Sequence, residues 1–155
     1  MILGDSTAQK LISNGLGVLK IQLEPTRVVQ LPFIADLKGA LINTENCNHD
    51  NYYPYTIHSG DHLFSRTFAL DSLNVDITDY LGIRHFPVWI IEQRNLFIEG
   101  DRVVIQTTDH RLFAGKSKLL SSTSLILRNH EDVNCEVLDF SSIHFIGRFA
   151  RGISM

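Results

Sequence analysis

Apolar and polar positions alternate with a period near two along most of the chain, and the apolar runs are short. The runs Val18 to Leu23, Val28 to Phe33, Leu63 to Phe68, Val88 to Ile91, Arg102 to Thr107, Ser124 to Leu127 and His144 to Phe149 have strand length and β-branched or aromatic content. Turn chemistry separates them at Glu24-Pro25, Asn46 to Pro54, Ser59-Gly60-Asp61, Glu99-Gly100-Asp101 and Asn129 to Asp132. That spacing suits a barrel, a jelly roll or a compact β-roll. Only the N-terminus reads differently. Asp5 or Ser6 can cap a helix, Ser6 and Gln9 have capping-box spacing, Ala8, Leu11 and Ile12 share a helical face, and Asn14-Gly15 stops it. The pattern predicts a mainly β chain with one short N-terminal helix. Asn43 to Tyr55 follows neither period and reads as a surface loop or an insertion between strands, while Trp89 in its apolar run reads as core.

At 155 residues the chain has the length of one domain, spanning 1–155, with one continuous core. No window approaches the roughly 18 consecutive apolar residues of a membrane span. The opening Met-Ile-Leu-Gly-Asp5 lacks the basic and apolar regions of a secretory signal, so the cytoplasm is the expected compartment. Cys47 and Cys135 fit neither a disulfide framework nor paired zinc knuckles. The net charge is −3 and no Lys/Arg-rich run occurs, which argues against duplex nucleic acid as a partner but leaves room for a small anion. Of the seven histidines, His58 and His62 are four apart on a strand rather than on a metal-binding helix. Turn and surface roles are expected for the histidines, and no metal site.

Three phrases, in order, carry a family resemblance. They are Met1-Ile-Leu-Gly-Asp5 running to Gly15, then Val29-Gln30-Leu-Pro32-Phe-Ile-Ala-Asp36-Leu37-Lys38, then His58-Ser-Gly-Asp61 with Thr67 and Leu73-Asn-Val-Asp76-Ile77. Together they resemble the dCTP deaminase and dUTPase superfamily over roughly residues 1 to 84. The resemblance implies a distorted jelly-roll or β-clip (dUTPase-like) fold, a homotrimer with nucleotide sites between subunits, and a deoxynucleotide ligand. Magnesium is implied only together with a bound triphosphate. Phe145-Ile146 and the tail Phe149 to Met155 are the expected interface material.

Departures from the family pattern fall where its chemistry lies. The phosphate-binding Gly-Arg-Ser-Ser block of the family is matched by Ile83-Arg84-His85-Phe86, which keeps the arginine and loses both hydroxyls. The proton-handling Glu of the deaminases falls on Ile105 when Gly100 is aligned, or on Gln106 with one extra residue; neither titrates as a general base must. The resemblance therefore implies nucleotide contacts at Arg84, His85 and Gln106, with Lys116 on an adjoining basic hairpin that also carries Arg102, Arg111 and Lys118. A solvated face is the commoner reading of such a hairpin. The implied function is that of a diverged, deoxynucleotide-binding or regulatory member whose catalytic segment has changed. The family deaminates without zinc, and no His-x-Glu with Pro-Cys-x-x-Cys occurs, which excludes the zinc-dependent deaminases.

Two rivals start from other residues. Gly4-Asp5-Ser6 is similar to the opening of Gly-Asp-Ser esterases, but no Asp-x-x-His follows in the C-terminal quarter, and Ser6 reads better as a helix cap. Leu31-Pro32-Phe-Ile with Gly39-Ala40, Phe68-Ala-Leu70 and Gly100-Asp-Arg-Val-Val104 resemble the LexA-type self-cleaving repressors and their mutagenesis-protein relatives. Counting along those anchors puts Asp76 and Ala114 at the serine and lysine of the dyad. That alternative implies a β-fold pseudo-protease acting as a dimerisation or decoy module.

Overall fold

The computed structural model describes residues 26–35, 37, 40–43, 51–58, 66–94 and 97–154, and the backbone of 2–3 and 7–8. Two compact units divide the chain: Met1–Val28 with Thr56–Asp61, and Val29–Tyr55 with His62–Met155. In the first, β1 (Ile2–Leu3) pairs antiparallel with β2 (Thr7–Ala8). The expected N-terminal helix is not seen: Thr7 and Ala8 are extended, and the rest of its span lies outside the described residues. The expected strand at Val18 to Leu23 also lies outside them.

The chain is mainly β, with one large sheet of ten strands. After β3 (Thr26–Ile34) and β4 (Tyr52–His58) come β5 (Thr67–Asp71), β6 (Ile77–Asp79), β7 (Val88–Glu92), β8 (Arg102–Thr107), β9 (Leu112–Leu119), β10 (Ser124–Arg128), β11 (Asn134–Asp139) and β12 (Ile143–Ile153). Their order is β11-β10-β9-β8-β12-β7-β5-β3-β4, with β6 added on β9. The β3–β5 and β6–β9 pairs are parallel. Among the described residues the helical segments are two single turns, Ser72–Asn74 and Phe140–Ser142.

Sequence pattern explains most of these assignments. The runs Phe-Ala-Leu of β5 and Val-Trp-Ile-Ile of β7 are apolar on both faces, and both faces are covered. Val103 and Ile105 of β8 face one way and Val104 the other, and all three are buried. Tyr52 to Tyr55, expected in a loop or insertion, begins strand β4 (Tyr52–His58). Its Tyr53 and Tyr55 pack on Leu31, Ala69, Val88 and Ile90, while Pro54 is tolerated because β4 ends the strand order.

The sheet rolls so that one face closes on itself. Phe68 on β5 lies opposite Ile91 on β7, which lies opposite Phe149 on β12. Phe145 sits four residues back along β12, so a flat sheet would hold Phe68 and Phe145 about 16 Å apart. Their rings instead meet edge-on at 5.6 Å. Trp89 and Phe149 make a second edge contact at 5.6 Å. With Leu70, Ile77, Ile83, Ile91, Val104, Leu112 and Ala114 these aromatics form the inner core. Smaller clusters cover the opposite face, around Ile105, Phe113 and Leu127 and around Ala69 and Ile90.

β12 makes the roll possible. Its first half pairs with β8 and its second with β7, and Arg148 alone is paired on both sides. Register breaks between Ile143 and Phe145 and between Phe149 and Arg151 bend the strand at each end. Two residues expected at a subunit interface are thereby used inside the chain, while the partly buried Ile146 and the described tail beyond Phe149 keep exposed surface. Phe145 and Phe149 are buried in the inner core, and Ile146 and Ile153 pack on the outer clusters. Two glycines admit the close contacts at this strand. A Cβ on Gly147 would fall 2.5 Å from Ile91 Cγ2, and one on Gly152 would fall 2.2 Å from Phe86 Cγ. Gly152→Ala should therefore lower unfolding free energy by about 1–3 kcal/mol, the range for overpacking, read from the midpoint of a urea transition at unchanged slope.

Candidate functional site

The loop from β6 to β7 carries the first two predicted contacts. Asp79 fixes its start, its carboxylate accepting from Leu81 N at 2.9 Å and Arg84 N at 2.7 Å. Gly82 follows in the left-handed region at φ +68. Ile83 O then accepts from Trp89 Nε1 at 3.1 Å, and Ser72 Oγ donates to Phe86 O. Within this frame Arg84 turns its guanidinium onto the chain itself, donating to Val75 O at 2.6 Å and Ile77 O at 3.1 Å. Carbonyls two residues apart point to the same side of a strand, so one side chain does what a neighbouring strand's N–H groups would do. His85 is exposed; its Nδ1–H donates to Gly82 O at 2.9 Å and its ring lies 4.1 Å from that of Phe86. Phe86, which stands at the second of the lost hydroxyls, packs over Gly152.

Gln106 is fully buried at the end of β8 on the inner face. Its Oε1 accepts from Ile42 N at 2.6 Å and its Nε2 donates to Ala40 O at 2.8 Å. The side-chain amide thus replaces a strand partner for residues 40–42. His144 Nε2 adds a third tie, donating to Ile42 O at 2.9 Å. Ile42 and Leu37 are drawn into the inner core as a result. A buried amide with both ends bonded is well satisfied, and losing it strands one donor and one acceptor.

Lys116 is placed elsewhere. Gln106 lies opposite Leu112 in the β8–β9 ladder and Lys116 lies opposite Arg102, so the two are about 13 Å apart along the strands. Arg111 does not join Lys116 either: it pairs with Asp109 at 2.9 Å and lies over the Phe113 ring on the opposite face. Lys116 instead has a cation on each side, Arg102 across the β8–β9 ladder and Arg128 across the β9–β10 ladder. Directly opposed residues point to the same face, so the three form one cross-strand row. Lys118, two positions further, is on that face opposite Ile126. Arg128 was not among the residues singled out from sequence. Only the register set by two hairpins brings it beside Lys116.

The row's contacts are light. Arg102 lies over the Phe149 ring at 5.0 Å, Arg128 Nε donates to Asn134 Oδ1 at 3.0 Å, and Lys116 Nζ donates to Asp132 Oδ1 at 3.0 Å and His130 O at 3.4 Å. A second charged group was also missed. Glu92 is buried at the end of β7, where its Oε1 accepts from Arg94 Nη2 at 3.1 Å and Arg148 Nη1 at 3.2 Å. Among the described residues two titratable groups are perturbed. Burial, then the bond to Glu136, raises the Tyr80 phenol, while the Thr107 hydroxyl and the Arg111 guanidinium hold Asp109 below the usual carboxylate range. Among the described residues no three His, Cys, Asp or Glu side chains are grouped to hold a metal ion, and no helix is long and apolar enough to cross a membrane.

Arg84 and Gln106 thus bind the chain's own backbone, and the row around Lys116 is a cationic surface open to a ligand. Gln106→Ala should cost about 2–4 kcal/mol by urea denaturation, because Ile42 N and Ala40 O lose their partners. Gln106→Glu should be no better at neutral pH, since a carboxylate cannot donate to Ala40 O, and should regain stability as acid protonates it. Comparison with protein families, curated proteins and solved structures returns no match for this chain.

Proposed function

We propose that the chain is a diverged, cytoplasmic member of the dCTP deaminase and dUTPase superfamily, with a jelly-roll or β-clip core, that binds a deoxynucleotide without turning it over. The observation that carries the non-catalytic part is the state of Gln106. On the alignment with one extra residue it stands where the deaminases keep their proton-handling Glu. Its amide does not titrate, and both ends of it are committed to Ala40 and Ile42 inside the core. Gln106 itself therefore offers an attacking water no base. The phrases Met1 to Asp5, Val29 to Lys38 and His58 to Ile77 support the family reading, and a mainly β chain rolled around one inner core is compatible with it. In this reading the protein assembles as a homotrimer, and magnesium arrives with the triphosphate rather than on a protein cage.

Arg84 takes a different part from the one the family gives it. Its bonds to Val75 O and Ile77 O hold the β6 turn, and its remaining donors are what a phosphate would meet. Purified protein incubated with dCTP or dUTP and Mg²⁺ should yield no dUTP, dUMP or pyrophosphate while calorimetry records binding. Product formation would reject the non-catalytic reading, and absence of binding to both would reject the nucleotide reading.

A further inference from the structure

We propose that the row Arg102, Lys116, Arg128 is an oligophosphate-binding site and that Asp132 is its built-in competitor. Like charges set directly opposite one another in a ladder destabilise it. This fold places three in consecutive register across β8, β9 and β10. By strand alternation, the same face of those strands presents Arg102, Val104 and Gln106, then Leu112, Ala114, Lys116 and Lys118, then Ser124, Ile126 and Arg128. Val104, Gln106, Leu112, Ala114, Ser124 and Ile126 are buried, and the accessible end of the face carries four cations and no carboxylate from these strands. An ordinary solvated hairpin face mixes both signs and relieves such a row from within.

The row also has the dimensions and donors of a phosphate site. Two strand spacings separate Arg102 from Arg128, about 10 Å, over which a di- or triphosphate can spread its charge. Arginine at either end offers a planar fork to phosphate oxygens, and lysine between them offers a point charge. The Phe149 ring beneath Arg102 limits where that guanidinium swings.

Among the described residues Asp132 supplies the single anion that reaches the row. It lies in the β10–β11 turn at φ +63, where its N–H donates to Asn129 O at 3.0 Å, and its Oδ1 takes Lys116 Nζ. Its side chain is 63% exposed, so the pair is weak and an incoming phosphate can displace it. The inference stands on the row alone and shares with the proposed function only the phosphate group.

The test titrates the full chain by calorimetry with inorganic tripolyphosphate, dCTP, dUTP and a short DNA duplex. Tripolyphosphate should bind, and Arg102→Ala or Lys116→Ala should each weaken it about tenfold, the loss of one charge-assisted contact. Asp132→Asn, which keeps a side chain at home in the left-handed region, should tighten binding about threefold by removing the competitor. Thermal melts confirm folding, and the opposite sign at Asp132 cannot arise from misfolding. Unchanged affinity in all three variants overturns the proposal, as does failure of tripolyphosphate to bind. A duplex that binds through the row in place of tripolyphosphate also overturns it. If tripolyphosphate binds through the row and neither dCTP nor dUTP binds, the site stands and the deoxynucleotide reading falls. If dCTP or dUTP binds but tripolyphosphate does not, the site falls and that reading survives.

Discussion

The fold depends on β12 serving two neighbours at once. β8 takes its first half and β7 its second, and the overlap is one residue, Arg148. Everything on the β8–β9–β10–β11 side is joined to everything on the β7–β5–β3 side through this strand. The junction is reinforced on both faces. Inside, Phe145 and Phe149 reach across to Phe68 and Trp89. Outside, the Glu92 carboxylate takes guanidinium groups from Arg94 and Arg148. A buried carboxylate so paired contributes little net stability, but removing one partner is costly, so it favours this register over a slipped one. A one-residue slip of β12 would send both aromatics to the wrong face.

Three of the strands buried on both faces were legible in the sequence as short apolar runs, whereas β5 starts at Thr67, near the end of the expected run Leu63 to Phe68, and β9 lay in no expected run. β7, β8 and β10 lie where their apolar runs placed them, and Asn129 to Asp132 forms its turn. Strands that bury few residues were not legible. β11 carries Asn134, Glu136 and Asp139 around a single buried Leu138, and β4 hides its tyrosines among polar residues and a proline. Phe145 and Phe149 were misplaced for a different reason. Phe145, Ile146 and Phe149 announce burial, but sequence alone does not say whether a core or a partner supplies the cover.

The candidate site was legible as residue types but not as bonds. Arg84 and Gln106 were read as ligand contacts, and each satisfies two backbone groups of its own chain. A polar side chain near an irregular segment has this second use available, because loop backbone lacks ladder partners and must be satisfied somehow. Lys116 gained meaning only from neighbours that are distant in sequence. Arg102 and Arg128 come beside it because the turns at residues 108–111 and 120–123 set the two ladders. Charge patterns of that kind become visible once hairpin register is assigned, and not before.

The tie between Gln106 and residues 40–42 has a consequence for motion. Ile42 N–H is held by a side chain instead of a sheet ladder, so it can be released without parting any two strands. Its exchange with solvent deuterium would then report a local opening of this strap, separate from the global unfolding that frees amides in β7 or β8. One amide proton would clock how often Leu37 and Ile42 leave the inner core, and with them how often the interior of the roll admits water.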